Sequence, residues 1–139
     1  MSEENKATVR RLYQEALNRG DLAVIDQIYA PDVELHFPGV PEDPFGPAPV
    51  HQLVATIHAA FPGVRVTIED MVAEGDKVVA RVTFHRPHQG QMVGVAPQSR
   101  QAIWTRIDAF RLFRGRIVEQ WGDRDDFGLL QQFGVAAST

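Results

Sequence analysis

The second half of the chain is written almost entirely in strand patterns, and this limits the available folds more than any other feature. Val64, Val66 and Ile68 begin the series, followed by Lys77 to His85, Ser99 to Leu112 and Ile117 to Asp123. The Gly75-Asp76 and Arg114-Gly115 pairs are tight-turn sequences that predict hairpins between neighbouring strands. Helical spacing belongs to the first half. Val9, Leu12, Tyr13, Ala16 and Leu17 fall on one face of a helix over Ser2 to Arg19, with Ser2 as N-cap and Gly20 as the stop. Asp21 is placed to cap a second, short helix carrying Ile25, Ile28 and Tyr29, which Pro31 ends. Val33, Leu35 and Phe37 alternate with Glu34 and His36 as a short strand, and Val50 to Phe61 predicts a third helix closed by Pro62-Gly63. Asp125 or Asp126 begins a last short helix that Gly134 closes. Helices first and strands afterwards mean α+β, with a twisted sheet covered on one side and a concave space between the layers.

Two segments interrupt these patterns. Residues 38–49 hold Pro38, Pro41, Pro44, Pro47 and Pro49 with Gly39 and Gly46, so they read as a loop, either a pocket lid or a rigid surface crossing. Pro87, Gly90, Gly94 and Pro97 break the strand pattern a second time. At 139 residues the chain has the length of one domain, and no internal repeat suggests a second.

Composition removes several function classes. The net charge is −4 and the 14 basic residues are scattered, which is not a nucleic-acid footprint. There is no cysteine, which excludes disulfides, thiolate nucleophiles and cysteine-based zinc sites. His36, His51, His58, His85 and His88 never form a metal-binding helical pair, and no glycine-rich phosphate loop occurs. No metal, organic cofactor, nucleotide, nucleic acid or membrane is expected as a partner. The N-terminal residues carry no leader pattern, so the cytoplasm is the expected address.

The segments Phe61-Pro62-Gly63, Ile68-Glu69-Asp70, Gly75-Asp76-Lys77-Val78-Val79, His88-Gln89-Gly90, Gly94-Val95-Ala96-Pro97, Gly115-Arg116-Ile117-Val118-Glu119 and Trp121 resemble, in this order, the SnoaL-like polyketide cyclase group. The tail from Asp125 to Gly134 resembles that family's ending. The resemblance covers almost the whole chain. It implies a cone-shaped, curved antiparallel or mixed sheet wrapped by three helices of the N-terminal half and a short C-terminal helix, enclosing a pocket. It also implies a homodimer through the sheet and cofactor-free acid/base chemistry, an intramolecular aldol closure on a polyketide-like or other apolar carbonyl ligand. Such a closure needs a base at the carbon beside a carbonyl and an acid at the developing alkoxide. The family's acid/base carboxylate matches Asp125.

Strand periodicity sets Asp123 and Asp125 on the face of Glu119 and Trp121, where neighbouring carboxylates suit an acid and a base; Asp125 equally suits a helix cap. His88 lies where the family often carries a histidine, in a turn where it equally serves to fix a loop. The fold is similar to that of ketosteroid isomerases, which use a first-helix tyrosine with a protonated aspartate as an oxyanion hole. Tyr13 and Asp108 match those positions, whereas the isomerase's base falls on Phe37, beside His36. A third resemblance, to limonene-epoxide hydrolase, matches Arg81 and the Trp121-Gly122-Asp123 segment but lacks half of the water-activating pair. The expected site is therefore Asp125, His88, Asp123 and Asp108 for the chemistry, with Tyr13, His36, Phe37, Arg81, Trp104, Phe110 and Trp121 against the ligand. Epoxide opening and a non-catalytic binding or dimerising module are the alternatives.

Overall fold

In the computed structural model, described over residues 2–37, 46–86 and 101–124, the chain forms three helices, one π-helical turn and a five-stranded sheet. Helix α1 (Ser2–Arg11) passes directly into a π-helical segment, Leu12–Leu17. There the backbone bonds widen, and the Asn18 amide reaches back to the Tyr13 carbonyl at 2.9 Å. Widening places Leu12, Tyr13, Ala16 and Leu17 together on the buried side, and insertions of this type often mark functional sites. Gly20, with φ +74, then turns the chain, as its freedom from Cβ clashes allows.

Helix α2 (Ala23–Ile28) is shorter than its sequence pattern, and Tyr29 already opens strand β1 (Tyr29–His36). Two expectations are corrected here. Leu22 occupies the cap position instead of Asp21, and Pro31 lies within a strand instead of merely ending a helix. The proline is tolerable because β1 is an edge strand whose register with β5 shifts between Tyr29 and Glu34, so its missing N–H costs no ladder bond. Helix α3 (Ala48–Ala60) starts on a Pro-Ala-Pro sequence suited to a first helical turn. His51 and His58 tether it to Asp26 at 3.1 Å and to the Leu17 carbonyl at 2.8 Å.

Strands β2 (Arg65–Glu74), β3 (Lys77–Arg86), β4 (Gln101–Phe113) and β5 (Arg116–Arg124) form an antiparallel meander, and β1 adds to β5 in parallel, giving the order β1-β5-β4-β3-β2. The predicted hairpins are present. At the second, Arg114 and Gly115 both have positive φ, 51° and 79°, as a two-residue turn matched to the sheet's twist requires. Asn18 clasps the other edge: its side chain donates to the Val66 carbonyl at 3.0 Å and accepts from the Val66 amide at 2.8 Å, replacing a missing strand partner.

The core lies between the helices and one face of the sheet, where Val78, Ala80, Val82, Phe84, Trp104, Phe110, Leu112 and Ile117 are buried. The other face carries Thr105, Ile107, Phe113 and Trp121 exposed. The fold is thus α+β with an open curved sheet, as expected. The proposed C-terminal helix falls outside the described residues.

Candidate functional site

Between the sheet and α3 is a cavity of about 190 Å³. Leu53, Val54, Ile57 and Phe61 form its roof, and Phe84 and Trp104, stacked with centroids 4.5 Å apart, form one wall. Apolar walls arise because helical spacing on α3 and strand alternation on β3 and β4 point their large residues into the same space.

Its floor is polar. Asp108, from the middle of β4, accepts a hydrogen bond from the Tyr13 hydroxyl at 2.7 Å. Its other oxygen accepts from Arg106 Nε at 2.8 Å and from Gln120 Nε2 at 3.3 Å. The Tyr29 hydroxyl bonds to Gln120 Oε1, closing the chain of contacts. Tyr13, Tyr29, Asp108 and Gln120 are each at most 3% exposed, so little water competes for these bonds. Burial, followed by the negative field of Asp108, pushes both tyrosines well above the ordinary phenol value. They are therefore neutral donors near pH 7. Three donors, one a guanidinium, suit an ionised carboxylate, and one of its roughly four lone-pair positions stays open.

Strand alternation explains this assembly. Trp104, Arg106, Asp108 and Phe110 share the inner face of β4, and Gln120 and Gly122 share that of β5, with Asp108 opposite Gly122. Arg106 also lies over the Phe37 ring, 5.1 Å from its centroid. Of the residues expected from sequence, Tyr13, Phe37, Trp104 and Asp108 meet in the cavity, and Phe110 supports Tyr13 edge-on from the core.

Others stand elsewhere. Trp121 and Asp123 point away from the cavity, since Gly122 between them faces inward. Arg81 is exposed on the same outer face and pairs with Asp70 at 3.6 Å, so it does not reach the cavity. His36 stacks on Trp121 and bonds to Glu119 at 2.8 Å, again outside. The expected ligand contacts of His36, Arg81 and Trp121 are thus on the wrong face for this cavity, as is the acid/base position of Asp123. His88 and Asp125 fall outside the described residues. The oxyanion-hole pairing also differs from its expected form, because Tyr13 spends its proton on Asp108 itself.

Sequence reasoning passed over Tyr29, Arg106 and Gln120. The signal was present: Arg106 repeats Asp108 at strand spacing, and Gln120 alternates with the acidic positions that drew attention. Among the described residues, Glu34, His36 and Glu119 bring ligand-type atoms within 4.8 Å of one another, but Arg111 already binds Glu119 at 3.0 Å. A cation there would compete with a guanidinium. No helix among the described residues is long and apolar enough to cross a membrane.

The model of the SnoaL-like polyketide cyclase family matches residues 7–133. No curated protein matches significantly. Among solved structures, IdmH from Streptomyces antibioticus, a candidate polyketide cyclase, is 33% identical with a TM-score of 0.75, covering 94% of this chain and 99% of its own. AclR from Streptomyces galilaeus, a candidate hydroxylase, is 28% identical with a TM-score of 0.75, covering 97% of this chain and 87% of its own. A candidate polyketide cyclase from Acidithiobacillus ferrooxidans is 26% identical with a TM-score of 0.74, covering 99% of both chains. With a family match over most of its length, a nuclear-transport-factor-2-like cone and a cavity of apolar walls on a polar floor, the chain belongs to the SnoaL-like polyketide cyclase family and is a cyclase-like enzyme.

Proposed function

We propose that the protein carries out cofactor-independent acid/base chemistry on an apolar carbonyl compound, an intramolecular aldol-type ring closure or a related proton transfer. The observation that carries this reading is Asp108, a buried carboxylate at the floor of an apolar cavity with a phenol, an amide and a guanidinium around it. The open lone pair of Asp108 accepts the proton from the carbon beside the carbonyl. The C–H electron pair becomes the new C=C bond, and the carbonyl π pair moves to oxygen as an enolate. The enolate carbon then attacks a second carbonyl of the same ligand, and an acid protonates the alkoxide formed. Asp125, matched to the family's acid/base position, is the proposed acid. A cavity of 190 Å³ suits the reacting ring or ring pair, since about 150 Å³ holds benzene.

Ring opening of epoxides is less well supported, because Asp108 is the single carboxylate lining the cavity among the described residues. Activation of water by two carboxylates would need a second one.

The test is deuterium uptake from heavy water at the acidic carbon of a two-ring β-ketoester, with protein dialysed against a chelator. Exchange should survive dialysis and fall at least about 100-fold in Asp108→Asn, the range of general base catalysis. Loss of exchange in Asp125→Asn with full exchange in Asp108→Asn would move the base to Asp125. Absence of exchange in the unaltered protein would favour a binding module.

The outer face of the sheet is the proposed dimer surface. Val72, Val79, Ala109, Trp121 and His36 lie in one register row across all strands, and Ile107 and Phe113 are 54% and 59% exposed beside it. Light scattering should give twice the chain mass, reverting to the monomer in Ile107→Glu; a monomeric parent would remove the proposal.

A further inference from the structure

The two oxygens of Asp108 stand in different surroundings. Oδ1 accepts from Arg106 Nε at 2.8 Å and from Gln120 Nε2 at 3.3 Å, which fills both of its lone-pair positions. Strand β5 also closes over it, since a Cβ on Gly122 would come 2.2 Å from this atom. Among the described residues Oδ2 accepts from the Tyr13 hydroxyl alone, at 2.7 Å. The open position of the carboxylate therefore belongs to Oδ2, beside a tyrosine that itself lines the cavity.

Gln120 can hold Oδ1 only while its amide stays in place. At 3.3 Å its bond is long for a carboxylate acceptor, so by itself it fixes the side chain weakly. The second anchor is Tyr29, whose hydroxyl donates to Gln120 Oε1. Burial, and then the negative field of Asp108, push the Tyr29 phenol well above its ordinary value, so it keeps the proton it donates. With Oε1 taken by that donor, Nε2 is the end that faces Asp108, and the hydrogen bonds run one way from Tyr29 through Gln120 to Oδ1. Tyr29 reaches Asp108 by no hydrogen bond of its own among the described residues.

We infer that the oxygens of Asp108 divide the work: Oδ2 meets the ligand's proton, and Oδ1 is an anchor that Tyr29 holds in place through Gln120. Tyr29 and Gln120 are thus positioning residues. A carboxylate gripped at one oxygen by a guanidinium and an amide cannot turn about χ2, so the lone pair of its other oxygen keeps one direction in the cavity. Less rotational freedom is then lost on the way to the transition state. This division rests on the proposed acid/base reaction and names the atom through which Asp108 acts.

A double-variant cycle on the deuterium exchange of the two-ring β-ketoester tests the positioning role. Tyr29→Phe should lower kcat about tenfold and leave KM within about twofold, because a displaced carboxylate affects the transition state more than binding. Gln120→Met should do the same, and the double variant should be no more than about twofold slower than Gln120→Met, since Tyr29 acts through Gln120. Where a single variant does not fold, the double, which leaves neither polar group orphaned, should still fall about tenfold and not about a hundredfold. Losses that multiply, or a rise in KM at unchanged kcat, overturn the positioning role.

The oxygen assignment is read without any reaction, from the carbon-13 signals of the Tyr13 and Tyr29 phenol carbons and the nitrogen-15 signal of the Gln120 side chain. Phenol is the probe: its ring suits a cavity of about 190 Å³, and its hydroxyl can donate to the open lone pair. Phenol should shift the Tyr13 signal further than toluene, which lacks the hydroxyl, and leave Gln120 where toluene leaves it. Tyr29→Phe should shift the Gln120 signal with no probe present; an unmoved signal breaks the chain from Tyr29. A phenol-specific shift at Gln120 instead of Tyr13, or at neither, overturns the assignment to Oδ2. A protein that shows these shifts but catalyses no exchange keeps the two oxygen environments and loses the proposed reaction; exchange with the shifts reversed does the opposite.

Discussion

The two faces of strands β4 and β5 carry similar residues in opposite circumstances. On the inner face Arg106, Asp108 and Gln120 join Tyr13 and Tyr29 in a buried network. On the outer face Arg111 and Glu119 join His36, with Arg111 and His36 more than a third exposed. Each cluster centres on one carboxylate with a guanidinium at 2.8–3.0 Å. Water separates their consequences. Inside, a charge must be matched by fixed partners because its hydration has been lost; outside, solvent and salt stand in for any partner that leaves. The same chemical letters therefore form a buried network at the floor of a cavity on one face and a surface ion-pair network on the other.

The largest expected effect tests whether the inner network holds together as a unit. Asp108→Ala leaves the Arg106 guanidinium buried without its counter-charge and should cost about 3–5 kcal/mol in urea unfolding. A loss below about 1 kcal/mol would mean that the inner pair is as dispensable as a surface one.

Tyr13→Phe removes one donor from Asp108 and leaves two, so its cost should be smaller, about 1–3 kcal/mol. The neutral phenols add a pH signature. Tyr13 and Tyr29 are the chain's two tyrosines, and both have folded-state pKa values raised by burial and then by Asp108. The unfolded chain ionises them near pH 10 and the folded one does not. Stability should thus fall as pH rises past about 10, with phenolate absorbance appearing only on unfolding. Gradual ionisation of the folded protein near pH 10 would contradict the sealed inner face.

Glu119 probes the outer cluster. Desolvation pushes its carboxyl upward, but the hydrogen bonds from His36 and Arg111, with the charges behind them, outweigh this and hold it below the ordinary value. A depressed folded-state value stabilises above the unfolded pKa of about 4.3 and loses that contribution as pH falls through the folded value. Glu119→Gln should cost no more than about 1 kcal/mol at neutral pH and flatten the acid limb of the stability profile. High salt should shrink the difference between this variant and the parent, which it should not do for Asp108→Ala.

The smallest effect belongs to Arg81. Its bridge to Asp70 is more than half exposed at both ends, and Arg81→Ala should change stability by less than about 0.5 kcal/mol. It should leave ligand binding untouched; weakened binding would return Arg81 to the site from which its outward direction removes it.

Periodicity and punctuation made the secondary structure legible before any coordinates. Gly75-Asp76 and Arg114-Gly115 set the hairpins, and the apolar runs set three helices, because these depend on interactions between near neighbours in sequence. The strand reading even placed Asp123 correctly on the face of Glu119 and Trp121. Which of the two faces meets the helices is another matter, since alternation repeats every two residues and is symmetric about the strand. Acidic letters drew attention to Glu119, Trp121 and Asp123, while packing enclosed Gln120 and Gly122. The π-helical widening that brings Tyr13 over Asp108, 95 positions apart, has no local signature in Leu12–Leu17. The sequence by itself therefore determined the elements, their order and, through its family pattern, the cone. Tertiary structure alone decided which carboxylate is dry, because burial is a property of both layers together and no single segment contains it.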